Sequence, residues 1–185
     1  MPALGDFSRR VGINIETGGA SEAVTLRRSE PMALTDFRCM TRFRVPFCDV
    51  DMLQHVNNAS YVVWVETVRC IYFAEVLKES LAGANGIILA RLELDYEQPL
   101  DYREEVAVAC RVSRIGRKSF DFESEIWSET RQFRAARVHS AMVAYNYEAK
   151  TSIVIPERWR ELIAAYEVIA PKVGKVGAAL THPIS

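Results

Sequence analysis

Two aspartates, a histidine and a pair of asparagines crowd one short segment, Asp49-Val50-Asp51-Met52-Leu53-Gln54-His55-Val56-Asn57-Asn58, and Tyr61, Trp64, Glu66 and Arg69 follow it. Asn57 or Asn58 suits the residue before a first helical turn, because an Asn side chain can accept a bond from an otherwise unpaired amide. A helix start carries unpaired N–H groups and the positive end of the helix dipole. Aimed at a carbonyl oxygen, these groups stabilise the charge that develops when the carbon is attacked. A carboxylate a few residues upstream can attack that carbon or take a proton from water. Acyl transfer needs both parts, and this segment supplies both.

Each residue also has a structural reading. Asp49 and Asp51 can bond nearby loop amides. His55 can shape the loop or act as a general base. The two asparagines can be caps alone. Tyr61 and Trp64, three apart, can pack in a core or line an acyl pocket. Glu66 sits in an apolar stretch, where an unpaired charge is costly. It needs water, a cavity or a partner, and Arg69 lies three residues on, within reach on a helix.

The elements around the segment follow from hydrophobic period. Phe37 to Pro46 alternates as a strand, with Phe43 and Val45 on one face and Arg42 and Arg44 on the other. From Ala59 to about Leu81 the chain has helical length and no Gly or Pro, and Gly83 can close it. Apolar residues cover most of that helix, which predicts burial on nearly all sides. Four strands are predicted next, over 87–96, 104–115, 119–128 and 134–147. Pro156 opens a last helix over 157–168. A strand, a long helix and four antiparallel strands form an α+β domain in which a curved sheet wraps one apolar helix. The other sheet face is expected to stay apolar and is left to pack against a second subunit.

Residues 1–35 show little periodicity and read as a flexible N-terminal extension, 36–170 as the folded domain and 171–185 as a C-terminal tail. Met32-Ala33-Leu34 offers an alternative start. Ser8-Arg9-Arg10 looks like the beginning of a twin-arginine signal, but Gly12, Asn14, Glu16, Gly18, Gly19 and Glu22 break the apolar stretch that should follow. With 23 basic and 24 acidic side chains the net charge is -1, which gives no electrostatic reason to expect a nucleic acid. No apolar run reaches the roughly 18–20 residues of a membrane-spanning helix. The cysteines, Cys39, Cys48, Cys70 and Cys110, have no CxxC or zinc-ligand spacing and read as reduced thiols of a cytoplasmic protein. His55, His139 and His182 are too scattered to suggest a metal site.

The segment from Asp49 to Asn58, with Tyr61, Trp64 and Glu66 after it, resembles hotdog-fold acyl-CoA thioesterases of the 4-hydroxybenzoyl-CoA thioesterase type. The run Gln54-His55-Val56-Asn57-Asn58 is most similar to the bacterial long-chain acyl-CoA thioesterase III branch. Leu94-Asp95-Tyr96-Glu97-Gln98-Pro99-Leu100 resembles the segment after the second strand of that fold. Ser113-Arg114-Ile115-Gly116-Arg117-Lys118-Ser119-Phe120 resembles its third-to-fourth strand hairpin. The likeness runs from about residue 38 to 167. It implies a catalytic carboxylate at Asp51 and an oxyanion donor at the Asn58 N–H. A second branch uses a helix glutamate eight residues beyond the donor, which here is Glu66. Asp51 is preferred, with Glu66 and His55 as further catalytic candidates. Asn57, Tyr61 and Trp64 are candidates for substrate contact. Arg114, Arg117, Lys118 and Ser119 form either a solvated basic turn or a clamp for coenzyme A phosphates.

The expected activity is hydrolysis of an acyl-CoA to acid and coenzyme A, with no metal or redox cofactor, by a homodimer or homotetramer whose site lies between subunits. The alternatives are a carrier-protein thioesterase, a hotdog dehydratase built on His55, and a non-catalytic acyl-CoA binder.

Overall fold

The computed structural model describes residues 34–174. The expected leader up to residue 33, the tail beyond residue 174 and His182 lie outside the described residues.

Alternating apolar residues build the sheet. Its strands are β1 (Cys39–Arg44), β2 (Asn85–Tyr96), β3 (Glu105–Ile115), β4 (Ser119–Ser128) and β5 (Phe133–Asn146), joined by the short β6 (Thr151–Ser152) and β7 (Lys172–Val173). The order is β1-β3-β4-β5-β2, with β6 on β5 and β7 on β3. All pairings are antiparallel except β3 with β7. One face presents Val106, Val108, Cys110, Phe120, Phe122 and Ile126, all buried, to the helix α1 (Asn58–Glu75). The expected wrapping of a curved sheet around one helix is what forms. The second helix, α2 (Glu157–Tyr166), starts after Pro156 as expected and buries Trp159 and Ile163.

Three expectations need correction. The long helix ends at Glu75 rather than near Leu81, and Gly83 does not close it. Lys78 takes φ 56°, a left-handed residue that turns the chain out of the helix. Leu77 is fully buried there, and Glu79 accepts from Trp159 Nε1 at 2.8 Å. This tertiary anchorage outweighs helix propensity. Nor is α1 covered on nearly all sides. Ala59, Val63, Glu66 and Thr67 fall on one stripe and are exposed, because one sheet covers one side of a cylinder.

The outer sheet face is also not apolar. Arg111 pairs with Glu123 at 2.5 Å, Arg114 grips Asp121 through two bonds of 2.6 and 2.9 Å, and Arg134 meets Glu125 at 2.9 Å. The alternation that points Val108, Cys110 and Phe122 inward points these charges outward. Cross-strand pairing of opposite charges supports the sheet on this face.

A buried carboxylate ties the two helices to the sheet. Glu167, at the end of α2, accepts from Tyr72 Oη at 2.6 Å and from the Val112 amide at 2.8 Å. Burial raises its pKa above the ordinary carboxylate value, against the lowering effect of those donors and of Arg111 and Arg38. A raised folded-state value makes the wild-type chain lose stability as pH rises through it. Gln at this position accepts the same bonds and does not titrate. Urea midpoints of E167Q and wild type, compared at about pH 4 and about pH 8, should therefore diverge in favour of E167Q at the higher pH. A difference independent of pH would contradict the raised value.

Candidate active site

The loop before α1 is folded back on itself. Val50 and Val56 form an antiparallel bridge, the Asp51 amide bonds the His55 carbonyl at 3.0 Å, and the Gln54 amide returns to the Asp51 carbonyl at 3.0 Å. Gln54 makes this possible by adopting φ 69°, which is unusual for a residue with a side chain. The fold-back carries Asp51 to the start of α1.

The first-turn amides can be accounted for one by one. The Asn57 N–H donates to the Asp49 carbonyl at 2.8 Å. The Ala59 N–H donates to Asn57 Oδ1 at 2.9 Å, which makes Asn57 the cap. The Ser60 N–H donates to the Asn57 carbonyl at 2.9 Å. Among the described residues, no acceptor takes the Asn58 N–H. That amide therefore stands free at the positive end of α1.

Asp49 and Asp51 have separated roles. Asp49 accepts from Ser60 Oγ at 3.1 Å and Trp64 Nε1 at 2.9 Å, so both its oxygens are spent on α1. Asp51 accepts only from the Leu53 amide, at 2.8 Å through Oδ1, and makes no ion pair among the described residues. Its Oδ2 is unengaged there.

Asp51, His55 and Asn58 line one cleft of about 330 Å³. Leu53, Val56, Tyr61, Tyr96, Glu97, Gln98 and Pro99 complete it. Tyr61 and Tyr96 meet edge to face at 5.1 Å, and Tyr96 Oη donates to the Asn58 carbonyl at 3.0 Å. Burial pushes the Tyr61 phenol up to about 12, so it stays neutral. Burial alone would raise the Glu97 carboxyl, but the hydrogen bonds and charges of Arg134 and Arg137 win and lower it. This set can polarise a carbonyl at Asn58 and move a proton at Asp51 or His55.

Other expected residues lie elsewhere. Trp64 is buried on Asp49 and edge to face with Phe43 at 5.0 Å, outside the cleft lining. Glu66 is exposed and lies eight residues along α1, about 12 Å from Asn58 at 1.5 Å per residue. The Glu66–Arg69 ion pair does not form. Arg69 is buried and donates to Ser140 Oγ at 3.3 Å, while the Glu66 charge only partly offsets the lowering of its pKa by burial.

The β3–β4 hairpin is at the far end of the sheet. Ser119 pairs with Val143 and Ile126 with Ala136, and Ala136 also faces Tyr96. The hairpin is thus about 23 Å from the cleft end, at 3.3 Å per strand residue. There Arg114 is committed to Asp121, and Lys118 Nζ donates to the Ser152 carbonyl at 2.8 Å and hydroxyl at 3.1 Å. Ser119 is half-buried, and Arg117 is exposed with no side-chain partner among the described residues. Among the described residues, no group of three His, Cys, Asp or Glu side chains could hold a metal ion.

Residues 45–165 match the model of the thioesterase-like superfamily. The chain belongs to that superfamily. A thioesterase of Thermus thermophilus, solved with coenzyme A and zinc, is 31% identical, with a TM-score of 0.62 over 70% of this chain and 94% of that one. The PA5185 protein of Pseudomonas aeruginosa PAO1 has a TM-score of 0.67 at 21% identity, over 74% of this chain and 96% of that one. These superpositions establish the hotdog fold. The uncharacterized protein YsmA of Bacillus subtilis is 27% identical over 85 residues, 46% of this chain, which spans 58% of YsmA's length.

The sequence reading missed Tyr96, Glu97, Gln98 and Pro99 as cleft residues and Asp101 behind them. They belong to or follow a strand whose place beside the start of α1 depends on β2 pairing with β5 at the sheet edge. The resemblance of 94–100 to a family segment was the available signal. The divided roles of the two aspartates are testable. D49A should leave the buried Trp64 Nε1 without an acceptor and lower stability by about 1–3 kcal/mol in urea denaturation. D51A should change stability far less, and equal losses would contradict the division.

Proposed function

We propose that this protein hydrolyses an acyl-CoA thioester to the free acid and coenzyme A. The observation that carries this reading is the meeting of a free carboxylate oxygen, Asp51, and a free first-turn amide, Asn58, on one cleft. Membership of the thioesterase-like superfamily supports it, and coenzyme A is the ligand of the Thermus thioesterase.

In this mechanism the thioester carbonyl oxygen sits on the Asn58 N–H. Asp51 takes a proton from water as its oxygen attacks the carbonyl carbon, or attacks directly to give a mixed anhydride that water opens. The charge on the oxygen grows during attack, so the fixed amide binds the transition state more strongly than the substrate. The C–S bond then breaks and coenzyme A departs as thiolate. No metal or redox cofactor enters the scheme. Glu66 is too far along α1 to serve the same carbonyl from the same chain.

The working unit in this proposal is at least a homodimer. Among the described residues the whole of β2, Asn85–Tyr96, is a sheet edge, and long free edges are normally paired or protected. A two-fold antiparallel pairing of β2 with its copy would also cover the exposed stripe of α1. It would bring the Arg117 hairpin of the second copy level with this cleft, where a basic turn suits coenzyme A phosphates. Among the described residues no helix is long and apolar enough to cross a membrane, and all four cysteines are free, which fits a reducing compartment.

Two substitutions test the chemistry through thiol release from acyl-CoAs of graded length. D51N should cut kcat by about 10³-fold or more while binding persists. An active D51N would contradict the proposal, and a wild type that binds without turnover would identify a sequestering protein. N58P removes the free amide itself. Proline is favoured at a first helical position, and Asn57 already holds ψ 137°, the extended conformation a residue before proline requires. N58P should therefore fold normally and lose about 10²–10³-fold in kcat. Full activity in N58P would exclude the Asn58 amide as the oxyanion donor.

A further inference from the structure

The scheme above expels a thiolate and assigns no group to protonate it. His55 lines the cleft with Asp51 and Asn58. Its Nδ1 lies 2.8 Å from Asp101 Oδ1. The main chains of these two residues also form an antiparallel bridge. Asp101 is therefore held to His55 by both backbone and side chain, although 46 residues separate them.

Asp101 is in turn fixed from behind. Its amide donates to Glu104 Oε1 at 2.7 Å, and its Oδ2 lies 3.5 Å from Arg131. Arg131 also bonds Glu104 and the Pro99 carbonyl, and Ser128 Oγ donates to Glu104. Glu104 is buried. A continuous polar chain thus runs from the β4 end through Glu104 and Arg131 to Asp101 and then to the cleft histidine. Both His55 and Asp101 are about half exposed, at 53% and 45%, so solvent screens the pair and its contribution to stability is small. Its consequence is orientation. A carboxylate on Nδ1 keeps the Nδ1 proton in place and leaves Nε2 as the exchanging nitrogen. Among the described residues, Nε2 has no partner.

We propose that Asp101 is a positioning residue that holds the His55 ring so that Nε2 protonates the departing sulfur; this rests on the thioesterase reading above. As the tetrahedral intermediate collapses, the C–S bond breaks and sulfur keeps the electron pair. The Nε2–H proton of the imidazolium passes to sulfur, leaving a neutral thiol and a neutral imidazole. The proton that Asp51 removed from water then restores the imidazolium.

The test combines ring tautomer and kinetics on the full chain. Long-range proton–nitrogen NMR at alkaline pH, with His55 assigned through H55Q, should show the neutral ring protonated on Nδ1. D101A should shift it toward the Nε2–H form, and D101E should restore it. On a thioester that wild type cleaves, D101A should lose about tenfold or more in kcat with KM little changed, and D101E should recover most of the loss. D101E and D101N keep the test decisive if D101A does not fold. A wild-type ring protonated on Nε2, a tautomer indifferent to Asp101, or a shifted tautomer with unchanged kcat would each overturn the proposal. A wild type that keeps the Asp101-dependent tautomer but cleaves no thioester would instead sink the hydrolase reading, with the pairing itself intact.

Discussion

An α-helix cannot pair its own first amides, and the structure around α1 is arranged by how those amides are distributed. Among the described residues, Asp49 and Asn57 between them take every first-turn N–H except one. Satisfying all of them would give a stable cap with no chemistry. Leaving several unpaired would cost stability, because a donor buried without a partner is expensive. One free amide on a residue that faces a cleft can remain solvated until a carbonyl replaces water. The strained backbone at Gln54 then has a clear purpose. It folds the loop back so that Asp51 lines the same cleft as Asn58, while Asp49, two residues away, is consumed as an anchor for Ser60 and Trp64.

The sheet provides the rigid frame for this arrangement. Its inner face clamps α1 through a continuous apolar core, and its outer face is bound by cross-strand ion pairs rather than by a second apolar layer. The start of α1 is therefore held between β2 and the loop after β2, with Tyr96 bonded to the Asn58 carbonyl. Elements distant in sequence meet at this one end of the domain. The opposite end carries the basic hairpin, about 23 Å away along the strands. Under the proposed function, a two-fold partner is the simplest geometry that would bring such a turn to the cleft.

Much of the fold was legible because its signals are local. The alternation of Val106, Val108, Cys110 and Val112 sets β3, and Pro156 marks the start of α2, without reference to the rest of the chain. The exit of α1 was misread because its cause is tertiary: Leu77 and Glu79 are held by buried contacts and by Trp159, and no helix-breaking residue announces the end. The outer face was misread as apolar because small residues such as Ala107 and Ala109 intervene among the charges, and only the register shows Arg111 opposite Glu123. At the site, the loop residues Asp51, His55 and Asn58 stood together in sequence and meet in space. Asp101 was invisible because its relation to His55 depends on two loops meeting, and the sequence between them gives no sign of it.

The most direct measurement is a crystal structure of the protein with a non-hydrolysable ketone analogue of acyl-CoA, in which a methylene replaces the thioester sulfur. The ketone oxygen should lie within about 3.1 Å of the Asn58 nitrogen, with Asp51 on the open face of the carbonyl carbon. A ligand whose carbonyl is bound away from the start of α1, with the Asn58 amide still facing water, would contradict the account.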